Sequence, residues 1–395
     1  MSKAEPMRLG DLINFKRGYD LTESQRHPGP YPVISSSGIS GYHNEYKAQG
    51  EGVVTGRYGT LGETYYIDGR YWPHNTALYV TTFKGNHPKY IYYLLKCLGR
   101  IRTSDKSAVP GVNRNELHAM AVPAIKDKDQ QKAIASALSL LDDKIECNTR
   151  INTNLEAMVK ALYDYWFYNY DFPNASGAPY KSSGGKMMSN PMLKREIPEG
   201  WTDGTLNDLG KIVGGSTPST QNAENFSSCG TPWITPNDLS DNQGNKFITR
   251  GAQDVSEAGI RDASLKKYPR GTVLLSSRAP VGYMAIARNE VTTNQGFKSF
   301  IPGNGYSTEF IYYTVKGSMK AIIQYASGST FQEISATVLK TVKIVLPKSD
   351  VVEQFTKAVN PIFQRQDLLE QENQQLAQVR DWLLPMLMNG QVTVA

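Results

Sequence analysis

In 395 residues the chain has only three cysteines, Cys97, Cys147 and Cys229, far apart and without CxxC spacing. This excludes a disulfide scaffold and a Cys-rich zinc site, and it fits a reducing, cytoplasmic setting. No run of about 18 apolar residues occurs, so no segment is expected to span a membrane. Residues 1–10 contain no apolar core segment, so no secretory leader is expected, and the sequons at Asn174 and Asn225 read as chance. Charge is modest: 43 basic and 37 acidic side chains, a net of +6. With 39% hydrophobic and only 20% charged residues, the chain is not a disordered one. Its length allows two or three domains, each able to bury a core.

Signatures of chemistry are missing too. There is no Asn-Pro-Pro-Tyr or Asp-Pro-Pro-Tyr motif, and no GxGxxG follows a strand-like run. The Ser182-Ser-Gly-Gly-Lys186 stretch lacks two parts of a phosphate loop: Tyr180 stands where its first glycine would be, and no Ser or Thr follows Lys186. The five histidines, His27, His43, His74, His87 and His118, form no HxxxH or HExxH pair, so they are expected as ordinary surface or core residues. No catalytic residue, no metal ligand and no cofactor of its own is expected in this chain.

What the sequence does have is alternation. Residues 1–126 carry a net +6 and residues 127–170 a net −2. Residues 171–200 carry +1, residues 201–349 +4, and residues 350–395 −3. On charge alone, sampling noise accounts for this as well as design does, but the sequence character alternates in step. The basic blocks are rich in Gly, Pro and Tyr and hold short β-type runs, such as Gly52-Val-Val-Thr-Gly and Thr341-Val-Lys-Ile-Val-Leu-Pro. The tyrosines, twelve of them in residues 1–126, alternate within such runs, which favours sheet packing over stacking on bases. The acidic blocks have helical periodicity. Ile134, Leu138, Leu141 and Ile145 are followed by Leu155, Val159, Leu162 and Trp166; the later block runs from Phe355 through Val359, Ile362, Gln366, Leu369, Asn373, Leu376 and Arg380 to Leu383. The 3-4 spacing predicts two coiled-coil helices, the alternative being two separate amphipathic core helices.

The chain also repeats itself. An offset of 221 maps Ile134 onto Phe355, Asn152 onto Asn373 and Leu155 onto Leu376. In the β-rich blocks the offset drifts from 197 to about 220: Asp11-Leu12 onto Asp208-Leu209, Arg17-Gly18 onto Gly214-Gly215, Arg57 onto Arg278, Asn75 onto Asn294. An insertion of roughly 20 residues is therefore expected before Val273 in the second copy. A tandem duplication commonly packs with pseudo-twofold symmetry, which makes the helices antiparallel. The expected fold is α+β: two β-rich α/β domains alternating with two long antiparallel coiled-coil helices. The boundaries are 1–126 for the first domain, 127–170 for a central spacer helix and 171–200 for a linker. Residues 201–349 form the second domain and 350–395 a C-terminal spacer helix.

This architecture resembles the specificity (S) subunit of type I restriction–modification systems, along nearly the whole chain. The words that carry the resemblance are Trp166-Phe167, Asp171-Phe-Pro173, Tyr180-Lys-Ser-Ser-Gly-Gly-Lys186 and Ile197-Pro-Glu-Gly-Trp201. Leu9-Gly-Asp-Leu12 and the Leu383-Leu-Pro385 close agree with them. The resemblance implies two target-recognition domains, each reading half of an asymmetric split site on double-stranded DNA. It also implies spacer helices that set the gap, two methyltransferase (M) subunits and restriction/translocase (R) subunits. S-adenosylmethionine would then reside in the M subunits, and ATP and Mg in the R subunits. The alternatives are a stand-alone bipartite DNA-binding protein and a self-contained DNA-modifying enzyme.

For base reading, Arg suits guanine and Asn or Gln suits adenine. Polar residues in the loops between β runs are the candidates: Ser36, Arg57, Tyr58, Asn75 and Lys106 in the first domain, and Thr235, Asn237, Ser277, Arg278, Asn294, Gln295 and Ser329 in the second. For each, a turn-forming role is the competing reading. Arg57/Arg278 and Asn75/Asn294 are favoured as residues kept by both copies, although a shared residue suits phosphate or fold better than base choice. Met158, Trp166, Phe167 and Trp382 are expected as exposed apolar residues on the helices for subunit contacts.

Overall fold

The structure, a computed structural model, describes residues 4–57, 63–98, 113–278, 280–326 and 333–394. It divides into two compact units: residues 1–147 with 372–395, and residues 148–371. The division cuts both long helices, Lys128–Tyr163 and Ser349–Met388, so each unit contains part of both.

In the first unit an antiparallel sheet runs in the order Asn14–Arg17, Ala77–Thr82, Gly52–Gly56, Thr64–Ile67. The β-branched run Val53-Val54 is fully buried in it. A second four-stranded sheet has the order Gly38–His43, Tyr31–Ser35, Arg70–Pro73, Ala48–Gln49, and within it Tyr31–Ser35 and Arg70–Pro73 are parallel. Helix Pro88–Cys97 lays Tyr90, Ile91, Leu94 and Leu95 into a core with Leu9, Phe15 and Val53. Ile134 and Leu138 of the first long helix enter the same core, as do Leu384, Leu387 and Met388 of the second. The helix segments are antiparallel here: Arg380 meets Asp142 at 2.7 Å and Glu372 meets Lys144 at 3.3 Å.

The second unit repeats the plan. Strands Gly210–Val213, Ser299–Pro302, Val273–Leu275 and Met284–Ala287 form the counterpart of the first sheet, extended by Phe247–Ile248. In the other sheet, Thr231–Ile234 and Thr292–Thr293 are the parallel pair. The expected insertion lies in one connection. Residues 36 and 37 alone join the first unit's strands Tyr31–Ser35 and Gly38–His43, whereas residues 235–252 separate Thr231–Ile234 from Gln253–Val255. Those residues form helix Pro236–Asp241 and strand Phe247–Ile248. The carboxylate of Asp238 closes the excursion, accepting from Thr235 N and Oγ1 at 2.7 and 2.6 Å and from Ala252 N at 2.7 Å.

The insertion also accounts for Gln366 in the second helix's seam and for the buried Glu370 one turn on. Glu370 accepts the backbone N–H of Lys246 at 2.7 Å and of Phe247 at 3.0 Å. The buried Lys246 ammonium donates to Gln366 at 2.6 Å and Tyr313 at 3.0 Å, and pairs with Glu156 at 2.7 Å. Arg288 pairs with Glu370 at 2.9 Å and also with Asp367. Burial alone would raise the Glu156 carboxyl, yet Lys246 and Lys316 pull it down to about 2. Asn152 donates to Glu370 at 3.4 Å and Gln366 to Glu156 at 3.5 Å, so the helix segments are antiparallel in this unit as well.

Two expectations need correction. Trp166 and Phe167 are not exposed: they are 6% and 7% accessible. After Tyr163 the helix widens into a π turn, Asp164–Tyr168, with Asn169 N donating to Asp164 O at 2.9 Å. The extra residue turns both rings inward, Trp166 onto Phe355 at 5.8 Å between centroids and Phe167 onto Phe310 at 4.8 Å. The words of the 171–200 stretch are likewise folding residues. Asp171 accepts from Ser182 N and Oγ, each at 2.7 Å, and Phe172 stacks between Tyr180 and Trp201 at 4.6 and 5.0 Å.

Candidate functional site

In each unit loops gather beyond the carboxyl ends of one parallel strand pair, Tyr31–Ser35 with Arg70–Pro73 and Thr231–Ile234 with Thr292–Thr293, a position where α/β folds commonly bind ligands. In the first unit His74 N donates to Ile34 O at 2.8 Å, Tyr19 N to Pro73 O at 2.8 Å and Arg57 N to Thr76 O at 2.9 Å. In the second, Asn294 N donates to Ile234 O at 3.1 Å, Ser216 N to Thr293 O at 3.1 Å and Ser277 N to Gly296 O at 2.7 Å. The two sets are the same framework. Gly18 and Gly215 occupy the same niche in it: a Cβ on Gly18 would come 2.1 Å from His74 O, and one on Gly215 would come 1.9 Å from Thr293 O.

These hydrogen bonds fix the correspondence between the copies and correct the pairing read from sequence. The offset is 220 at both places, so Arg57 matches Ser277 rather than Arg278, and Asn75 matches Gln295 rather than Asn294. Neither favoured pair is a kept residue. Sliding the sequence by one let two arginines and two asparagines coincide, and only the backbone ladder removes that freedom.

The framework gathers most of the candidates. Ser36 sits in the two-residue turn, its N–H donating to Thr76 Oγ1 at 3.2 Å. Arg57 follows strand Gly52–Gly56 and is half-buried. Asn75 donates its Nδ2 to the carboxylate of Asp20. In the second unit Gln295 accepts from the Thr217 hydroxyl. Asn294 turns inward, its Oδ1 accepting from Gly296 N at 2.8 Å, and Thr235 caps helix Pro236–Asp241. The Ser277 hydroxyl is buried without a partner among the described residues, whereas Asn237 is exposed and Arg278 half-exposed. Tyr58, Lys106 and Ser329 lie outside the described residues. Asp20, Thr217 and the two glycines were missed as site residues, although the offset of 197 that matches Arg17-Gly18 to Gly214-Gly215 also places Asp20 on Thr217. Of the four apolar helix residues, Met158 and Trp382 are 58% and 61% exposed. Among the described residues no group of three or more His, Cys, Asp or Glu side chains could hold a metal, and no helix is long and apolar enough to cross a membrane.

Comparison with known proteins gives the same outline. A sequence model described as the type I restriction modification DNA specificity domain matches residues 1–157 and again residues 198–378. The HindI specificity subunit of Haemophilus influenzae is 28% identical over 360 residues, 77% of this chain and 77% of that protein. The MjaIX specificity subunit of Methanocaldococcus jannaschii is 40% identical over 184 residues, 46% of this chain; the match spans only 41% of that protein's length. The S subunit of a type I system from M. genitalium has the same fold, with a TM-score of 0.63 at 16% identity, over 98% of this chain and 96% of that one.

Proposed function

From its membership of the type I restriction modification DNA specificity family, to which this chain belongs, we infer that it is a non-catalytic sequence-reading subunit that recognises an asymmetric, bipartite site on double-stranded DNA. The observation that carries this is the duplicated framework with unlike side chains. Tyr19, Asp20 and Asn75 in one unit stand where Ser216, Thr217 and Gln295 stand in the other, on the same backbone hydrogen bonds. Identical scaffolds with different polar groups suit two readers of different half-sites, because base-edge contacts specify while backbone contacts only position.

The charge distribution supports the division of work. The two β-rich blocks carry the excess of Lys and Arg that phosphate binding needs, and the helical blocks are net acidic and suit protein partners. Met158 and Trp382, large and exposed on those helices, are the candidates for docking two methyltransferase subunits. Restriction subunits join the same complex. S-adenosylmethionine belongs to the methyltransferase subunits and ATP with Mg to the restriction subunits, so this chain works without a cofactor of its own, in the cytoplasm.

Mapping modified bases genome-wide, in the source cell with and without this gene, tests the reading. Modification at one asymmetric split sequence should vanish on deletion. An unchanged modification pattern, or methyl transfer by the purified chain alone, overturns it.

A further inference from the structure

The two framework sites differ in one chemical respect. In the first, the group that holds Asn75 is the carboxylate of the exposed Asp20. A carboxylate only accepts hydrogen bonds, so Asn75 must turn its Nδ2 toward Asp20 and carry its Oδ1 on the other side. In the second, the group that holds Gln295 is the hydroxyl of the exposed Thr217, and it donates to Oε1, so Nε2 is left for another acceptor. The two amides therefore present their donor and acceptor in opposite order. Asn75 is half-buried and Gln295 exposed, and both amides retain hydrogen-bonding capacity beyond the contact that holds them.

We propose that Asp20 and Thr217 are positioning residues that determine specificity, each setting which way round its amide partner faces a base edge. This rests on the DNA-reading function above and adds to it. An amide edge pairs with the adenine N6 and N7 groups only when its oxygen meets N6–H and its N–H meets N7. Reversing the amide turns that match into two clashes of like groups. Asp20 thus locks one orientation. Thr217, whose hydroxyl can donate or accept, favours the other without enforcing it. Arg17 also pairs with Asp20, at 3.0 Å, and supplies an internal control, since losing it leaves the carboxylate and its demand on Asn75 in place.

The test selects random-sequence duplexes with the full-length chain in complex with its methyltransferase subunits, followed by sequencing. Failure of the wild-type complex to yield any bipartite consensus sinks the DNA-reading function itself, whatever the variants do. Given a wild-type consensus, Asp20→Asn should relax preference at a single base pair of one half-site by roughly 10- to 100-fold, leaving the other half-site intact. Thr217→Asp should change preference at a single base pair of the other half-site. Arg17→Ala should leave the consensus unchanged. A consensus unaltered by both Asp20→Asn and Thr217→Asp overturns the proposal. So does an even loss of affinity across all sequences, which is the mark of a structural or phosphate role. A variant that selects nothing while Asn75→Ala still selects a consensus also overturns it, because a positioning group cannot matter more than the group it positions.

Discussion

The ammonium of Lys246 lies 2.7 Å from the carboxylate of Glu156, with only 4% of the lysine side chain exposed. The lysine is buried and the glutamate partly so, both have further hydrogen-bond partners and lie in one of the two units, and removing Glu156 leaves the buried ammonium short of its counter-charge. Glu156→Ala should destabilise residues 148–371 by roughly 3–5 kcal/mol. Replacing both partners, with Lys246→Met and Glu156→Gln, should cost less. Denaturant unfolding gives the magnitude, and amide hydrogen exchange shows whether the loss stays within that unit.

The same pair gives the acid response its sign. The Glu156 carboxyl is held at about 2 in the folded chain against an ordinary value of 4.5, a depressed value. Its contribution is therefore complete above about pH 4.5 and is lost as pH falls through that window toward 2. Glu156→Gln should flatten stability against pH across this range and leave the profile above pH 5 unchanged, as thermal unfolding at a series of pH values would read.

Gly18 and Gly215 make the framework sites sensitive to a single methyl group. Gly18→Ala should disturb one half-site and Gly215→Ala the other, each with about 1–3 kcal/mol of destabilisation from overpacking against strand-end carbonyls. Modified-base mapping in cells carrying each variant should show degeneracy in one half of the target only. Degeneracy in both halves would argue against two independent readers.

Met158 and Trp382 are open to solvent, so polar substitutions there should cost little stability. Met158→Glu with Trp382→Glu should leave the melting curve of the chain within a few degrees and weaken co-purification of the methyltransferase subunits. Undiminished co-purification would move the docking surface elsewhere.

Seven residues inserted after Asn148 in the first long helix, and seven after Asn373 in the second, preserve the seam faces and add about 10 Å to each helix. The gap in the recognised sequence should lengthen by about 3 base pairs, at ~3.4 Å per pair. A gap that stays the same length would show that the helices do not set the spacing.

The periodic parts of this fold were legible in the sequence because they answer to burial. Phe355, Val359 and Leu369 lie buried where the heptads put them, and the β-branched runs became strands. Three other features were not legible, each for a physical reason. The inward turn of Trp166 and Phe167 was not legible, since the α-helical period ends at Tyr163 and the π turn that follows leaves no mark in hydrophobic spacing. Gln366 stood in the heptad run without a visible partner, because Lys246 comes from an insertion 120 residues away. The candidate sites were found as loops but misaligned by one residue. Residue types alone cannot set a register that Asn294 N and Ser277 N fix with their hydrogen bonds.

The unit that contains the chain's first residues is discontinuous, and the other is not. Leu384, Leu387 and Met388 belong to the same core as Leu9 and Phe15, so that core needs both segments of the discontinuous unit. Residues 148–371 are contiguous in sequence, so their core closes over shorter chain separations and at a smaller cost in loop-closure entropy. A chain cut after residue 371 should therefore keep the core of the second unit and leave that of the first without Leu384, Leu387 and Met388.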